Sequence, residues 1–212
     1  MKFLYNFFRF LLYPLIILAN FLQNNFTSVF TPMNMGPTSE HYYSNFIKKN
    51  FKKKDFILDF GSGAGFFSKL FHPKKYLGVE INKSFLNISK KRNLKHKFRL
   101  LNNDYLKGYE NKINFIFINN VLHHLTDEQI LSVFSFFKRK LNKKVKVFII
   151  EPLLPKTFFS LEFIMKVLDI GNNIKDKKNY IKLLKKILNI NSYNIKKVSI
   201  GSVLVIKGHI KK

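Results

Sequence analysis

Three glycines at alternate positions carry the clearest chemical signal in this chain of 212 residues. Gly61, Gly63 and Gly65 follow a short apolar run that ends in an acid, Asp59. A glycine-rich turn between a strand and a helix lets the backbone approach a ligand closely, because no Cβ intervenes and a positive φ costs little. The turn therefore predicts a binding site for a nucleotide-like ligand.

The spacing of these glycines excludes two common nucleotide sites. A dinucleotide site needs a small residue at the place of Phe66, whose side chain is too large for that role. A P-loop needs Gly-Lys followed by Ser or Thr, and no such sequence follows the turn. The remaining pattern is Asp-x-Gly-x-Gly-x-Gly, with Ser62 between the first two glycines.

Acidic residues are scarce in this chain, with 12 Asp and Glu against 38 Lys and Arg, so their positions are informative. Asp59, Glu80, Asp104 and Glu151 each end or follow an apolar run that predicts a buried strand. Open α/β sheets bind ligands at the carboxyl ends of their strands. Glu80 lies about twenty residues beyond the first glycine, an offset at which an acid accepts hydrogen bonds from ribose hydroxyls. The alternative is that these acids cap helices or lie in solvated loops.

The glycine motif, the acids and the segment Asn119 to Leu125 together resemble the class I S-adenosylmethionine (SAM) dependent methyltransferases. That segment reads Asn-Asn-Val-Leu-His-His-Leu, which is common in small-molecule members of the class. The resemblance covers about Glu40 to Ile210. It implies a Rossmann-like α/β fold, with a seven-stranded, mainly parallel sheet, helices on both faces and an antiparallel closing hairpin. The chain departs from the family pattern after Leu141, where a Pro-Gly-Gly turn is usual.

The resemblance also implies SAM as the cofactor. In the family, the acid at the place of Glu80 binds both ribose hydroxyls, and the acid at the place of Asp104 accepts a hydrogen bond from the adenine amino group. The predicted cofactor-binding residues are Asp59, Gly61, Ser62, Gly63, Gly65, Glu80, Asp104, Tyr105 and Asn119.

Alternating apolar runs and helical patterns predict βαβ units around these residues. A capping box at Thr126 and Gln129 predicts the start of one helix. Other helices are predicted at 40–51, 67–71 and 84–92, strands at 56–60, 76–80, 98–101, 113–118 and 145–150, and a closing hairpin at 195–200 and 203–210.

Two adjacent histidines are the candidates for catalysis. Methyl transfer needs a positioned nucleophile, and a phenol, alcohol or carbon acid also needs a base. His123 and His124 follow the fourth strand, where a base would face the methyl group. We expect one of them to matter and favour His124 for its distance from the strand. The alternative is that one histidine packs under the loop and both only shape it. No third ligand lies at a familiar metal spacing, so no metal site is predicted.

The apolar segment Phe3 to Leu22 precedes this domain and is long enough to cross a bilayer. Arg9 and Pro14 weaken that interpretation, because a charge within a span is costly. A helix in the membrane interface or packed on the domain, a true span and a signal peptide all remain open. We predict an N-terminal segment and linker at 1–39, a methyltransferase domain at 40–212 with a substrate-side insertion at 152–180, and a cytoplasmic protein associated with the membrane through its N-terminal segment.

The formal net charge of +26 is compatible with a nucleic acid or an anionic membrane as partner. Nearly all of the positive charge is Lys, whereas Arg is preferred for bidentate phosphate binding. Lys, Asn, Ile and Phe are abundant together, as A+T-rich codons would produce, so a genomic origin and a functional basic surface both remain open. The absence of cysteine excludes disulfides, thiolate catalysis and zinc held by cysteine.

The acceptor of the methyl group is specified only loosely. The apolar N-terminal segment and the aromatic segment Pro155 to Met165 favour a small, apolar or lipid-like molecule. The absence of Asn-Pro-Pro-Tyr at Asn119 argues against amino methylation of bases or glutamine. An RNA methyltransferase, supported by charge alone, is one alternative, so nucleic acid is a disfavoured partner. A non-catalytic, membrane-tethered protein with a SAM-binding fold is the other. The sequence does not indicate an oligomeric state.

Overall fold

A computed structural model of the chain shows one sheet with helices around it. Every structural statement below concerns the described residues, which are 2–25, 44, 46–141, 144–155, 157, 163, 166–167, 171–198 and 201–211. The predicted linker at 26–39 lies outside them, and so does most of the aromatic segment at 155–165.

Seven strands form the sheet, and their order along it confirms the predicted fold class. The first five pair in parallel, and the last two form an antiparallel hairpin on the fifth. The order across the sheet is β3-β2-β1-β4-β5-β7-β6. The strands are β1 (Ile57–Phe60), β2 (Tyr76–Glu80), β3 (Lys97–Leu100), β4 (Phe115–Asn119), β5 (Lys146–Pro152), β6 (Leu188–Lys197) and β7 (Ser202–Ile210).

Five α-helices have bounds in the structure, and the predicted capping box begins one of them. Thr126 accepts a hydrogen bond from the backbone N–H of Gln129, whose side chain accepts one from the backbone N–H of Thr126. The α-helices are α1 (Lys2–Leu11), α2 (Tyr13–Asn25), α3 (Lys83–Arg92), α4 (Asp127–Lys140) and α5 (Lys177–Leu184). Three short 3₁₀ helices span Phe66–Leu70, Pro73–Lys75 and Leu122–His124.

The central strands are buried on both faces, which explains why they read as continuous apolar runs. On one face, Leu58 and Ile116 pack with Phe134 of α4. On the other face, Phe117 and Phe148 stack with ring centroids 6.0 Å apart, and both belong to a cluster that includes Ile47. Ile47 is fully buried and lies in the predicted helix at 40–51, of which only residues 44 and 46–48 are described as helical.

Two predicted elements differ from the structure for physical reasons. Instead of a helix at 67–71, a single 3₁₀ turn spans Phe66–Leu70, because Gly65 precedes it with φ 74° and Pro73 disfavours helical backbone at His72. The sixth strand begins at Leu188 rather than at 195. It is an edge strand whose side chains are mostly exposed, so it lacks the alternating apolar pattern that marks a strand.

The N-terminal apolar segment forms α1 and α2, which meet at Leu12. No helix in the described part of the chain combines the length and the apolar character needed to cross a membrane. Tyr5 and Ile16 are buried, and Tyr5 belongs to a small cluster with Val167 and Ile174. The Tyr5 hydroxyl donates to the carbonyl oxygen of Lys166 at 3.0 Å, so α1 is fixed to the domain.

Candidate cofactor site

The glycine turn begins directly after β1 and is fastened to the end of β2. All three glycines have positive φ, at 75° for Gly61, 53° for Gly63 and 74° for Gly65, a conformation that other residues rarely adopt. The backbone N–H groups of Gly61 and Ser62 donate to the carbonyl oxygen of Val79 at 2.9 and 3.0 Å. The turn is therefore a fixed structure at the carboxyl edge of the sheet.

The three glycines have different surroundings, so two of them are explained by packing and one by access for a ligand. A Cβ at Gly61 would lie 2.4 Å from the side chain of Val121, and a Cβ at Gly65 would lie 2.8 Å from that of Asn93. Gly61 and Gly65 are therefore required for packing. A Cβ at Gly63 would meet no atom within 4 Å. At Gly63 the backbone faces open space, as a close approach by a ligand requires.

Glu80, the last residue of β2, lies beside this open position. Its Oε2 accepts a hydrogen bond from the backbone N–H of Gly63 at 2.8 Å. Its Oε1 accepts from Ile81 and Asn82, both at 2.8 Å. A carboxylate has about four acceptor positions, so these three bonds leave capacity for a further donor. Glu80 thus holds the turn and can still accept a hydroxyl.

Two more predicted site residues carry polar atoms that are buried without a hydrogen-bond partner among the described residues. These atoms are Oγ of Ser62, in the turn, and Oδ1 of Asn119, the last residue of β4. A buried polar atom without a partner costs about 1 to 3 kcal/mol. A polar ligand at this edge would reduce that cost, so both atoms are suited to ligand contact.

Asp59 lies in the interior instead of at the open position. Its Oδ2 accepts a hydrogen bond from the hydroxyl of Tyr76 at 2.6 Å, and the residue is buried. Burial raises the pKa of the Asp59 carboxyl from 3.8 to about 7, the nearby charge of Glu80 adds to this, and the bond from Tyr76 opposes it. The acid of the glycine motif therefore joins β1 to β2 next to the start of the turn.

Asp104 and Tyr105 follow β3 and have contrasting environments. Asp104 is exposed in a turn, where its carboxylate is accessible to solvent. The ring of Tyr105 is buried against Phe60 and Phe136, with ring centroids 6.4 and 5.4 Å away. Burial raises the pKa of the Tyr105 hydroxyl well above its usual range. The side chain of Tyr105 occupies a core position, whereas that of Asp104 can meet a ligand.

Glu151, near the end of β5, organises the loop that carries the two histidines. Its Oε1 accepts from the backbone N–H groups of Val121 and Leu122 at 2.8 and 2.7 Å. Its Oε2 lies 2.8 Å from Nδ1 of His123. The position of Glu151 at a strand end was predictable from the sequence, but its role in holding the loop was not. The sequence feature that could have indicated this role is the position of Glu151 near the end of β5, the strand that pairs with β4.

The two histidines point to different environments, as expected of adjacent residues. His123 is buried, and a Cβ at Gly171 would lie only 1.9 Å from its ring. The backbone N–H of Asn173 donates to the carbonyl oxygen of His123 at 2.8 Å. His124 is exposed, with its ring centroid 4.1 Å from that of His123. His123 is therefore packed under the loop, and His124 is the accessible member of the pair.

Comparison with known proteins agrees with this geometry. Residues 57–144 match the model of a family described as a methyltransferase domain. A search of curated proteins finds no match.

Several solved structures share the fold. A SAM-dependent methyltransferase from Methanosarcina mazei is 16% identical, with 77% of this chain and 96% of that chain covered and a TM-score of 0.61. Magnesium protoporphyrin IX methyltransferase from Synechocystis PCC 6803 with bound SAH is 14% identical, with 82% of each chain covered and a TM-score of 0.57. Geranyl diphosphate methyltransferase in complex with GPP and sinefungin is 12% identical, with 80% and 77% covered and a TM-score of 0.61.

Proposed function

Because the chain carries a class I SAM-dependent methyltransferase domain, with SAM as its cofactor, we propose that this enzyme methylates a small, apolar or lipid-like acceptor. The observation that carries the proposal is the contact between the glycine turn and the histidine loop. The side chain of Val121 lies where a Cβ of Gly61 would stand, so the predicted cofactor turn and His123 and His124 share one edge of the sheet. The proposed domain spans residues 40–212.

The described residues fit SAM in three respects. The open backbone at Gly63 permits close approach, Glu80 has acceptor capacity for a ribose hydroxyl, and Ser62 and Asn119 offer buried polar atoms. Exposed Asp104 is proposed to accept from the adenine amino group. Bound SAM supplies a methyl group already activated on a sulfonium. The protein must therefore orient the acceptor, exclude water and, for some acceptors, remove a proton.

For that proton we assign the accessible histidine, His124. A base must reach the proton it removes, and His124 is exposed whereas His123 is buried against Gly171. His123 and Glu151 are positioning residues in this scheme. The Glu151 carboxylate accepts hydrogen bonds from the backbone N–H groups of Val121, Leu122 and His123, and it also contacts Nδ1 of His123. These four contacts hold the loop in one defined conformation.

The acceptor class is supported by the molecule's apolar N-terminal helices and by the names of two similar structures. Those names indicate a porphyrin and a prenyl diphosphate as the molecules bound or methylated by the respective proteins. The N-terminal helices are proposed to hold the domain at the cytoplasmic face of a membrane, where an apolar acceptor would be concentrated.

Two other functions make different predictions about the methylated product. An RNA methyltransferase is favoured by the net charge of +26. A non-catalytic binding protein would use the open backbone at Gly63 and the carboxylate of Glu80 to bind SAM but would transfer no methyl group. Purified protein with methyl-labelled SAM can be incubated separately with a lipid extract, a polar metabolite extract and total RNA. Label in the organic phase supports the proposal, label in RNA supports the first alternative, and SAM binding without label in any fraction supports the second.

Binding of SAM itself is tested by calorimetry. Glu80→Ala removes an acceptor for a ribose hydroxyl, and a hydrogen bond to a charged group contributes about 1.5 to 3 kcal/mol, so affinity should fall by roughly tenfold or more. Glu110→Ala, which removes a partly exposed acid elsewhere, should leave SAM affinity unchanged. Failure of the folded wild type to bind SAM, or tighter binding of a nicotinamide dinucleotide, would contradict the assignment.

A further inference from the structure

The outward face of α1 and α2 is apolar along its whole described length. Phe3 and Phe10 are 80% and 79% exposed. In the rest of the described chain, exposed large apolar side chains are few, at Ile81, at Leu94 and, as a pair on β6, at Tyr193 and Ile195. A contiguous exposed apolar patch marks an interaction site, whereas single exposed residues do not. The outer face comprises Phe3, Leu4, Phe7, Phe10, Leu11, Tyr13, Leu15, Ile17, Leu18 and Phe21.

The opposite face of α1 is bound to the domain through polar contacts as well as packing. Arg9 Nη1 donates to the carbonyl oxygen of Val167 at 3.0 Å, and its Nη2 donates to Oδ1 of Asn172. Phe8 packs on Phe163 with ring centroids 5.6 Å apart. The charge that weakened a membrane interpretation of the sequence thus faces the protein. The residues of the outer face are all uncharged.

Two basic side chains lie across a cavity from α1. A cavity of about 610 Å³ beside α1 is lined by Tyr5 and Asn6 on one side and by Lys182 and Lys186 on the other. Both lysines are exposed. Asp127 and Glu128 also line this cavity, and Asp127 is paired with Lys175 at 3.1 Å. Residues 1–39 contain no acidic residue, so α1 and α2 carry no negative side chain that would oppose an anionic surface.

We propose that the outer face of α1 and α2 inserts into the interface of an anionic lipid bilayer, with Lys182 and Lys186 contacting the headgroups. Aromatic and aliphatic side chains beside lysines are typical of helices that lie in the membrane interface. Anionic lipids complement the charge of +26. The same charge on two copies of the chain would oppose their association through this face.

The side of α1 that packs on the domain is connected to the histidine loop by a short series of contacts. Arg9 binds Asn172, and the next residue, Asn173, donates to the carbonyl oxygen of His123. Helix α1 would therefore set the orientation of the loop relative to the bilayer. This orienting role rests on the proposed function, because it takes the acceptor to be a lipid that reaches the site from the membrane.

Sedimentation with vesicles tests the surface on the full chain. One set of vesicles contains phosphatidylcholine alone, and the other contains phosphatidylcholine mixed with phosphatidylglycerol. The wild type should sediment with the mixed vesicles and be released in part by high salt, because exposed charges are screened. Phe7→Ser combined with Phe10→Ser should reduce binding to both sets roughly tenfold or more. Leu94→Ser, a control at an apolar residue 86% exposed elsewhere, should not.

The lysines have a matched control on another helix. Lys182→Gln combined with Lys186→Gln should lower the preference for the mixed vesicles, whereas Lys90→Gln combined with Lys91→Gln on α3 should leave it near the wild-type value. Equal binding by all variants would overturn the proposal, and so would a wild type that remains in the supernatant with both vesicle sets. A concentration-dependent dimer that is abolished by the phenylalanine substitutions would show a protein interface instead.

SAM affinity is measured on the same samples. Unchanged affinity in the phenylalanine variant shows that the domain is folded. A wild type that binds vesicles but not SAM would contradict the proposed function and leave the docking surface standing.

Discussion

Oε2 of Glu151 lies 2.8 Å from Nδ1 of His123, so the end of β5 is joined to the loop that follows β4. Both residues are buried, and the same carboxylate binds the backbone of Val121 and Leu122. One side chain therefore binds the loop and its 3₁₀ helix, Leu122–His124, to the end of β5.

Replacing this carboxylate should affect both stability and rate. Glu151→Gln keeps the size of the side chain but loses the charge, and one of its two terminal groups can no longer accept. We expect the free energy of unfolding to fall by about 1.5 to 3 kcal/mol. Turnover should fall more than SAM affinity, since the loop is proposed to carry the base that acts on the acceptor. Denaturant titration and steady-state kinetics measure the two effects. Glu110→Gln, at a partly exposed acid that accepts one hydrogen bond from the backbone N–H of Gly108, should lower stability by less than Glu151→Gln does.

The two histidines should respond differently to replacement by alanine. His124→Ala should lower turnover about a hundredfold or more while stability and SAM affinity stay near the wild-type values, because the residue is exposed. His123→Ala should lower stability, because it leaves Glu151 without its side-chain donor. If both variants keep wild-type rates from neutral to alkaline pH, the base role is wrong and the enzyme works by positioning alone.

Gly63 should tolerate a side chain in the fold but not in the presence of SAM. Gly63→Val places an L-residue in the left-handed region, at a cost of about 1 to 2 kcal/mol, and fills the space where the backbone is open. Gly108→Val is a matched control, because φ there is 82° and a Cβ would also meet nothing within 4 Å. Both variants should lose similar stability, and calorimetry should show loss of SAM binding only for Gly63→Val. Normal SAM binding by a folded Gly63→Val protein contradicts this role.

Asp59 should make stability depend on pH in an unusual direction. Its pKa is raised from 3.8 to about 7 in the folded protein, so the folded state binds a proton more readily than the unfolded chain does. Stability contributed by this group is therefore present at low pH and is lost as pH rises from about 4 to about 7. Asp59→Asn should remove this loss, which denaturant titration on both sides of that window measures.

The control for this prediction is Asp104→Asn, at an exposed carboxyl. It should leave the pH dependence of unfolding unchanged. An Asp59→Asn protein that loses stability over the same window as the wild type would show that another group is responsible.

Much of the fold could be predicted from the sequence because the central strands are buried on both faces. Runs such as Tyr76–Glu80 have no polar interruption, so their positions and even their ends were predictable. The edge strand β6 was placed seven residues too late, since exposed strands carry little apolar pattern. The turn at Gly61 to Gly65 was predictable because few structures other than a ligand site need so many glycines at that spacing.

The organisation of the site was harder to predict, because it depends on which side chains meet across strands. Asp59 and Tyr76 are seventeen residues apart in the chain but share a hydrogen bond. The link from Glu151 to His123 also joins distant parts of the chain. Tyr105 shows the same limit: its place after β3 predicts a cofactor contact, and the burial of its ring against Phe60 and Phe136 could not be predicted from that spacing. Spacing identifies a strand end, but only packing decides which way a side chain turns.

The irregular edge strand β6 protects the sheet from growing into a neighbouring molecule. An edge of regular, flat backbone is a template on which a strand from another copy could pair. The register of β6 against β7 shifts between Ile190 and Ser192, and Lys197 extends from its end into solvent. A bulge twists an edge, and a lysine would bring charge into any added pair. The basic composition of the chain thus also helps to keep the edge strand β6 from pairing with another copy.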